Sequence, residues 1–129
     1  MTPKLFRVTL EVGDLEIAVK FYSNLLAVSG ERHPGSRHYF QCGGVILAIL
    51  DVANGGTSPS PSTWGLYFAK SDIASVHERA AALEALAPYQ VHGQPAGEVL
   101  DRPWGERSCY VVDPWGNDLC FVEEGSLYT

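Results

Sequence analysis

The residues most able to do chemistry in this sequence are four histidines and three cysteines, and their spacing argues against the reactions they usually support. Cys42, Cys109 and Cys120 form an odd, widely separated set with no C-x-x-C pair. That pattern fits neither a disulfide framework nor a zinc cluster, so reduced and mostly buried thiols are expected. His33 and His38 lie around short strand-like segments, His77 falls within a helical stripe, and His92 lies near another short strand. None of the four is placed to activate Cys120 as a nucleophile, so no catalytic residue is assigned. Binding chemistry is better represented. Trp64, Tyr39, Phe40, Tyr67 and Tyr110 fall in segments with strand character and could wall a ligand. A planar guest gains about 0.5–1.5 kcal/mol per aromatic pair beyond burial, and a cation over a ring about 0.5–2 kcal/mol.

Alternation in the segment LFRVTLEV decides which charges could join such a wall. Val8, Leu10 and Val12 share one face of a strand, and Arg7, Thr9 and Glu11 share the other. The apolar face must pack on a helix, so Arg7 and Glu11 point away from it, either as a clamp on a ligand or as an ion pair with each other. The same reasoning sends Gly65, Tyr67 and Ala69 to one face of a later strand, and Asp118, Cys120 and Val122 to one face of the last.

The elements that position these residues follow from periodicity. A strand over 5–12 is followed by Asp14, a suitable helix N-cap, and then by Leu15, Ala18, Val19, Tyr22, Leu25 and Leu26 at helical spacing. Residues 28–33, 37–42 and 45–50 are expected to be strands, the last continuously apolar as a doubly buried strand would be. A Gly-, Ser- and Pro-rich connection over 52–63 separates a first module, 1–51, from a second, 64–129. The second repeats the order of the first. It has a strand over 64–70, an N-cap at Asp72, and a helical stripe from Ile73 through Leu86 that ends at Pro88. Strands over 90–94, 107–113 and 118–123 follow, the last two turning at Pro114-Trp115-Gly116-Asn117. A βαβββ unit repeated at roughly sixty residues is an internal duplication. It predicts an α+β fold of two βαβββ modules with a concave mixed sheet. The edge strands favour a homodimer, domain-swapped or side by side.

Two sequence blocks give this duplication a relative. Val12, Asp14, Ala18, Phe21 and Tyr22 form V-x-D-x-x-x-A-x-x-F-Y. Pro103-Trp104-Gly105-Glu106-Arg107 is followed by Asp113-Pro114-Trp115-Gly116-Asn117 and then Phe121-Val122-Glu123. On these blocks the whole chain resembles the glyoxalase/bleomycin-resistance/extradiol-dioxygenase superfamily, also called vicinal oxygen chelate. In pattern it is most similar to bleomycin-resistance-type antibiotic-binding proteins. The D-P-x-G-N block is a hairpin turn in its own right and speaks for fold rather than activity. The resemblance implies that metal-dependent members place His, Gln or Glu at four inward strand positions. Here those positions fall on Arg7, Ala48, Gly65 (or Trp64) and Cys120. A guanidinium, a methyl group and a glycine cannot ligate a metal, so neither metal nor cofactor is expected. The resemblance also implies that Trp104, matching the tryptophan of the drug groove, walls a ligand site.

The expected function is therefore metal-independent binding of a small organic ligand, an aromatic or cationic antibiotic or metabolite, that sequesters it. The alternative is a lyase, isomerase or dioxygenase of the same fold, using a metal or an acid/base group such as Glu11. A net charge of −6 disfavours nucleic acid as a partner. No apolar run is long enough for a membrane helix, and the N-terminal segment has strand rather than signal-peptide character. The expected location is cytoplasmic.

Overall fold

The computed structural model describes residues 1–63 and 65–129, so Trp64 lies outside the described residues. The chain divides into two compact units, Met1–Ser62 and Thr63–Thr129. Each is a βαβββ arrangement, and together they make the α+β fold that the duplication predicts.

In the first unit, β1 (Arg7–Val12) leads into helix α1 (Leu15–Leu26), followed by β2 (Glu31–His33), β3 (Arg37–Cys42) and β4 (Val45–Asp51). The sheet order is β1-β4-β3-β2, with β1 parallel to β4 and the remaining pairs antiparallel. Helix α1 begins where expected because Asp14 accepts the Ile17 N–H at 3.0 Å and Asp51, at the end of β4, accepts the Leu15 N–H at 3.1 Å. Its buried stripe is Leu15, Ala18, Phe21, Tyr22 and Leu25. This stripe packs on β3 and β4, where Phe40, Leu47 and Ile49 are fully or almost fully buried. The strand expected over 28–33 is shorter. Gly30 turns the chain at φ +64°, and a Cβ there would meet the Tyr39 carbonyl oxygen at 2.7 Å, so pairing starts only at Glu31.

The second unit runs β5 (Tyr67–Lys70), α2 (Ile73–Ala82), β6 (Gln90–Val91), β7 (Gln94–Pro95), β8 (Leu100–Asp101), β9 (Arg107–Val112) and β10 (Asp118–Glu123). Its main sheet has the order β5-β10-β9-β8, again with the first strand parallel to the last. Asp72 caps α2 by accepting the Ser75 N–H at 3.2 Å, and Ile73, Val76 and Ala80 are its buried face.

Three expectations need correction here. The helical stripe does not continue to Leu86, because Glu84 takes a left-handed conformation at φ 56° and the chain turns back to run beside β9. Ala87 then donates its N–H to the Tyr110 carbonyl oxygen, and Val112 donates to that of Ala85, so this stretch satisfies its backbone as an extended segment. The strand expected over 90–94 is instead a separate hairpin, β6–β7, and the fourth strand of the main sheet is β8. The strand expected from 64 begins at Tyr67 among the described residues. The described residues contain no helix long and apolar enough to cross a membrane.

Candidate functional site

The two faces of the second sheet have different fates, and this difference makes the site. Alternation sends Cys109, Val111, Leu119 and Phe121 toward α2, where Phe121 stacks on Phe68 with ring centroids 5.0 Å apart. The opposite face carries Tyr67, Tyr110 and Cys120 side by side, since Cys120 is in register with Tyr67 on one flank and Tyr110 on the other. Part of that face is roofed by the hairpin, with Ala87 and Ala96 packed against Tyr110, Cys120 and Val122, and Val91 beside them. Gly97 permits the close approach, since a Cβ at this position would come within 2.8 Å of the Ala87 carbonyl oxygen.

A buried arginine fastens the roof. Arg102 is only 3% exposed. It donates to the backbone oxygens of Ala96 (3.1 Å), Glu98 (2.8 Å) and Ser108 (2.9 Å) and to Ser108 Oγ (3.0 Å). Weaker contacts reach Pro95 O and Gln94 Oε1. Its guanidinium also lies 5.5 Å from the centre of the Tyr110 ring. One side chain thus ties the hairpin to β9 and backs the tyrosine in the cavity wall. Nothing in the residue pattern around Arg102 distinguishes it from a solvated arginine, which is why sequence reasoning missed it.

Where the roof stops, a cavity of about 430 Å³ opens, whose described lining residues all belong to the second unit. Tyr67, Tyr89, Tyr110 and Trp104 supply its rings; His92, Gln90, Asp118 and Cys120 supply its polar atoms. Trp104 stands on the P-W-G turn, closed by Gly105 N–H donating to Arg102 O at 2.8 Å. Its indole N–H donates to Glu106 at 2.8 Å, and the His92 ring meets it edge-on at 5.0 Å. Tyr89 donates its hydroxyl to Asp118 Oδ1 at 3.0 Å. Burial raises the Asp118 carboxyl above the ordinary carboxylate range, against the lowering effect of the Tyr89 hydrogen bond. Burial, then the bond to Asp118, pushes the Tyr89 phenol well above its usual value, and burial does the same to Tyr110. The Cys120 thiol is pushed up to about 12, again by burial, so it is protonated and a poor nucleophile at neutral pH.

The residues singled out from sequence separate accordingly. Tyr67, Trp104, Tyr110 and Cys120 line this cavity. Tyr89 also lines it, and was missed because it sits in a segment with no strand periodicity. Arg7, Glu11 and Tyr39 belong to the first unit. There Arg7 Nη1 donates to the Tyr39 hydroxyl at 3.4 Å, and the Tyr39 ring stacks on His33 at 4.2 Å. Hydrogen bonding to Arg37 and the nearby Arg7 charge lower the Tyr39 phenol below its ordinary value. Glu11 accepts the Ser60 N–H at 2.8 Å. Among the described residues, ion pairs join Arg32 to Glu16 and Arg107 to Asp101. Phe40 is a correction. It is completely buried against Tyr22, 6.2 Å between rings, because it shares the helix-facing side of β3 with His38. It cannot touch a ligand on the opposite face. Trp64 lies outside the described residues.

The D-P-x-G-N block is structural. Buried Asp113 accepts the N–H groups of Trp115 and Asn117, both at 2.9 Å, and the Asn117 side-chain amide at 2.8 Å.

This architecture and the sequence comparisons agree. The chain belongs to the Glyoxalase/Bleomycin resistance protein/Dioxygenase superfamily, whose model matches residues 4–121. Among solved structures it is similar to a glyoxalase-related enzyme from Fulvimarina pelagi, at 25% identity and TM-score 0.72, over 95% of this chain and 88% of that one. It also shares the fold of lactoylglutathione lyase from Agrobacterium tumefaciens (22% identity, TM-score 0.64, 97% and 96% covered). A third likeness is to oxidase ChaP-H2 (21% identity, TM-score 0.73, 95% and 94% covered), again a likeness of fold. No curated protein matches the sequence.

The metal of the chelating members does not fit these residues. Arg7 is a permanent cation, Ala48 and Gly65 carry no donor, and Cys120 is a buried thiol. Among the described residues no three of His, Cys, Asp and Glu converge on one point.

Proposed function

We propose that this protein binds a small, partly planar organic molecule in the second-unit cavity without a metal, and that sequestering it is the function. An antibiotic or related natural product is the class of guest, and the working form is a homodimer in the cytoplasm. The observation that carries the reading is the cavity itself. Its volume of about 430 Å³ is that of a small-molecule site, and its walls are Tyr67, Tyr89, Tyr110 and Trp104. Sequestration requires a preformed aromatic cleft and no reactive group. Among the described residues, the one thiol of the lining, Cys120, is held protonated by burial.

The test is a titration with bleomycin-, mitomycin- and enediyne-type compounds, following tryptophan fluorescence and melting temperature in wild type and Trp104→Phe. A true ligand quenches wild-type emission saturably and raises the melting temperature. Its quenching amplitude falls in Trp104→Phe, whereas Trp115 on the β9–β10 turn responds little. If no compound in the panel changes either signal, sequestration of such compounds is not the function.

A further inference from the structure

Taking the cavity as the ligand site, we propose that it is a receptor for an organic cation, with Asp118 as its counter-ion and Tyr67, Tyr89 and Trp104 as the aromatic cage around the charge. Among the described residues the lining contains one carboxyl group, that of Asp118, and one imidazole, that of His92, whose ring is set edge-on against Trp104, and no lysine or arginine. Arg102, behind Tyr110, does not line the cavity and spends its N–H groups on Ser108 and on oxygens of the 94–98 stretch. Asp118 has no basic partner within ion-pair distance among the described residues. Among the described residues its side-chain partner is the Tyr89 hydroxyl on Oδ1, at 3.0 Å, which leaves Oδ2 for a guest. A half-buried carboxylate held by a single neutral donor is incompletely compensated, and a positive group from the guest completes it.

The aromatic groups sort the kind of cation. Tyr67 projects from the neighbouring strand and is half exposed at the cavity mouth. Tyr89 is fixed over Asp118 by its own hydroxyl, and Trp104 is fixed by Glu106 and by the edge-on His92. Rings held in this way present their negative π faces without reorganisation. Such walls favour a weakly hydrated, alkylated ammonium over a primary one, because its desolvation costs less and its methyl groups fill the space between rings. An anionic guest meets the Asp118 carboxylate with no lysine or arginine in the described lining to offset it, and is rejected.

Three probes of one size separate charge from shape: para-hydroxyphenyl-trimethylammonium, its uncharged isostere para-tert-butylphenol, and para-hydroxybenzenesulfonate. Binding is read by calorimetry and by tryptophan fluorescence. The ammonium is expected to bind about tenfold more tightly than the isostere, within the range of a desolvated cation–ring contact. The sulfonate is expected not to bind. Asp118→Asn keeps the size and the acceptor for Tyr89, and should bring the ammonium to within about twofold of the isostere, whose own affinity is unchanged. Equal binding of ammonium and isostere by the wild type overturns the cation assignment and leaves the cavity standing as a ligand site. An undiminished preference in Asp118→Asn overturns the role of Asp118. Binding of neither probe overturns this inference together with the site on which it rests.

Discussion

Cys120 shows how much of a residue's chemistry is decided by its surroundings. In the sequence it is one of three thiols with no partner in spacing; in the fold it sits between Tyr67 and Tyr110 on a half-roofed sheet face. Burial holds it at about 12 and Cys109, on the helix side of the same sheet, at about 11. Both lie above the ordinary thiol value of 9.0, so between these values the folded chain keeps protons that the unfolded chain has lost. Stability contributed by the two thiols is therefore complete below pH 9 and falls as pH rises from there toward 12. The expected outcome at pH 8 is that an aromatic disulfide reagent modifies half-buried Cys42 first, while Cys109 and Cys120 react only as the chain opens. Peptide mass mapping against time reads the order, and fast stoichiometric labelling of Cys120 in the native protein would contradict it. Phe40 and Tyr39 teach the companion lesson. Adjacent aromatics on one strand face opposite ways, so only Tyr39 was ever available to the open face.

At the scale of elements, the β6–β7 hairpin converts a sheet face into a cavity, and Arg102 keeps it there. Replacing Arg102 with methionine removes buried donors from the carbonyl and hydroxyl of Ser108 and from the Ala96 carbonyl, which keeps the Tyr110 N–H, and a part-buried donor from the Glu98 carbonyl. The expected loss is roughly 2 kcal/mol or more of stability, given the cost of unsatisfied buried polar groups. Urea denaturation measures it, and amide exchange should accelerate first in Gln90–Pro95, ahead of β9 and β10. A loss below about 1 kcal/mol would show that the arginine is not the fastener. Helix α1 was legible in the sequence to the residue, because an N-cap and an unbroken apolar stripe specify it locally. The hairpin was not. Strands of two residues carry no period, and β8 pairs with β9 through only Leu100 and Asp101. The end of α2 was equally hidden. The stripe continues through Leu83 and Leu86, yet Leu86 meets Val111 as part of an extended segment rather than a helix.

For the whole molecule, the relevant fact is that each unit's sheet ends on an edge strand, β1 in one and β5 in the other. An uncovered edge of paired-strand geometry is a template for further pairing. The expected assembly is a dimer, with a sedimentation mass twice 14.0 kDa at micromolar concentration. Its melting temperature should rise with protein concentration, as linkage requires when folding and association are coupled. A monomer at all concentrations, with a concentration-independent melting temperature, would remove the dimer from the proposal.

By itself, the sequence determined the duplicated βαβββ plan, the caps at Asp14 and Asp72, and the turn built on Asp113. All of these depend on residues near one another in the chain. Only the tertiary structure decided that Tyr89 and Asp118, 29 residues apart, share a proton donor and acceptor across one cavity. It likewise decided that Arg102 lies beneath that cavity rather than in water. Those pairings arise when a short hairpin folds back over a sheet, and contacts between distant segments leave no period or motif in the chain that makes them.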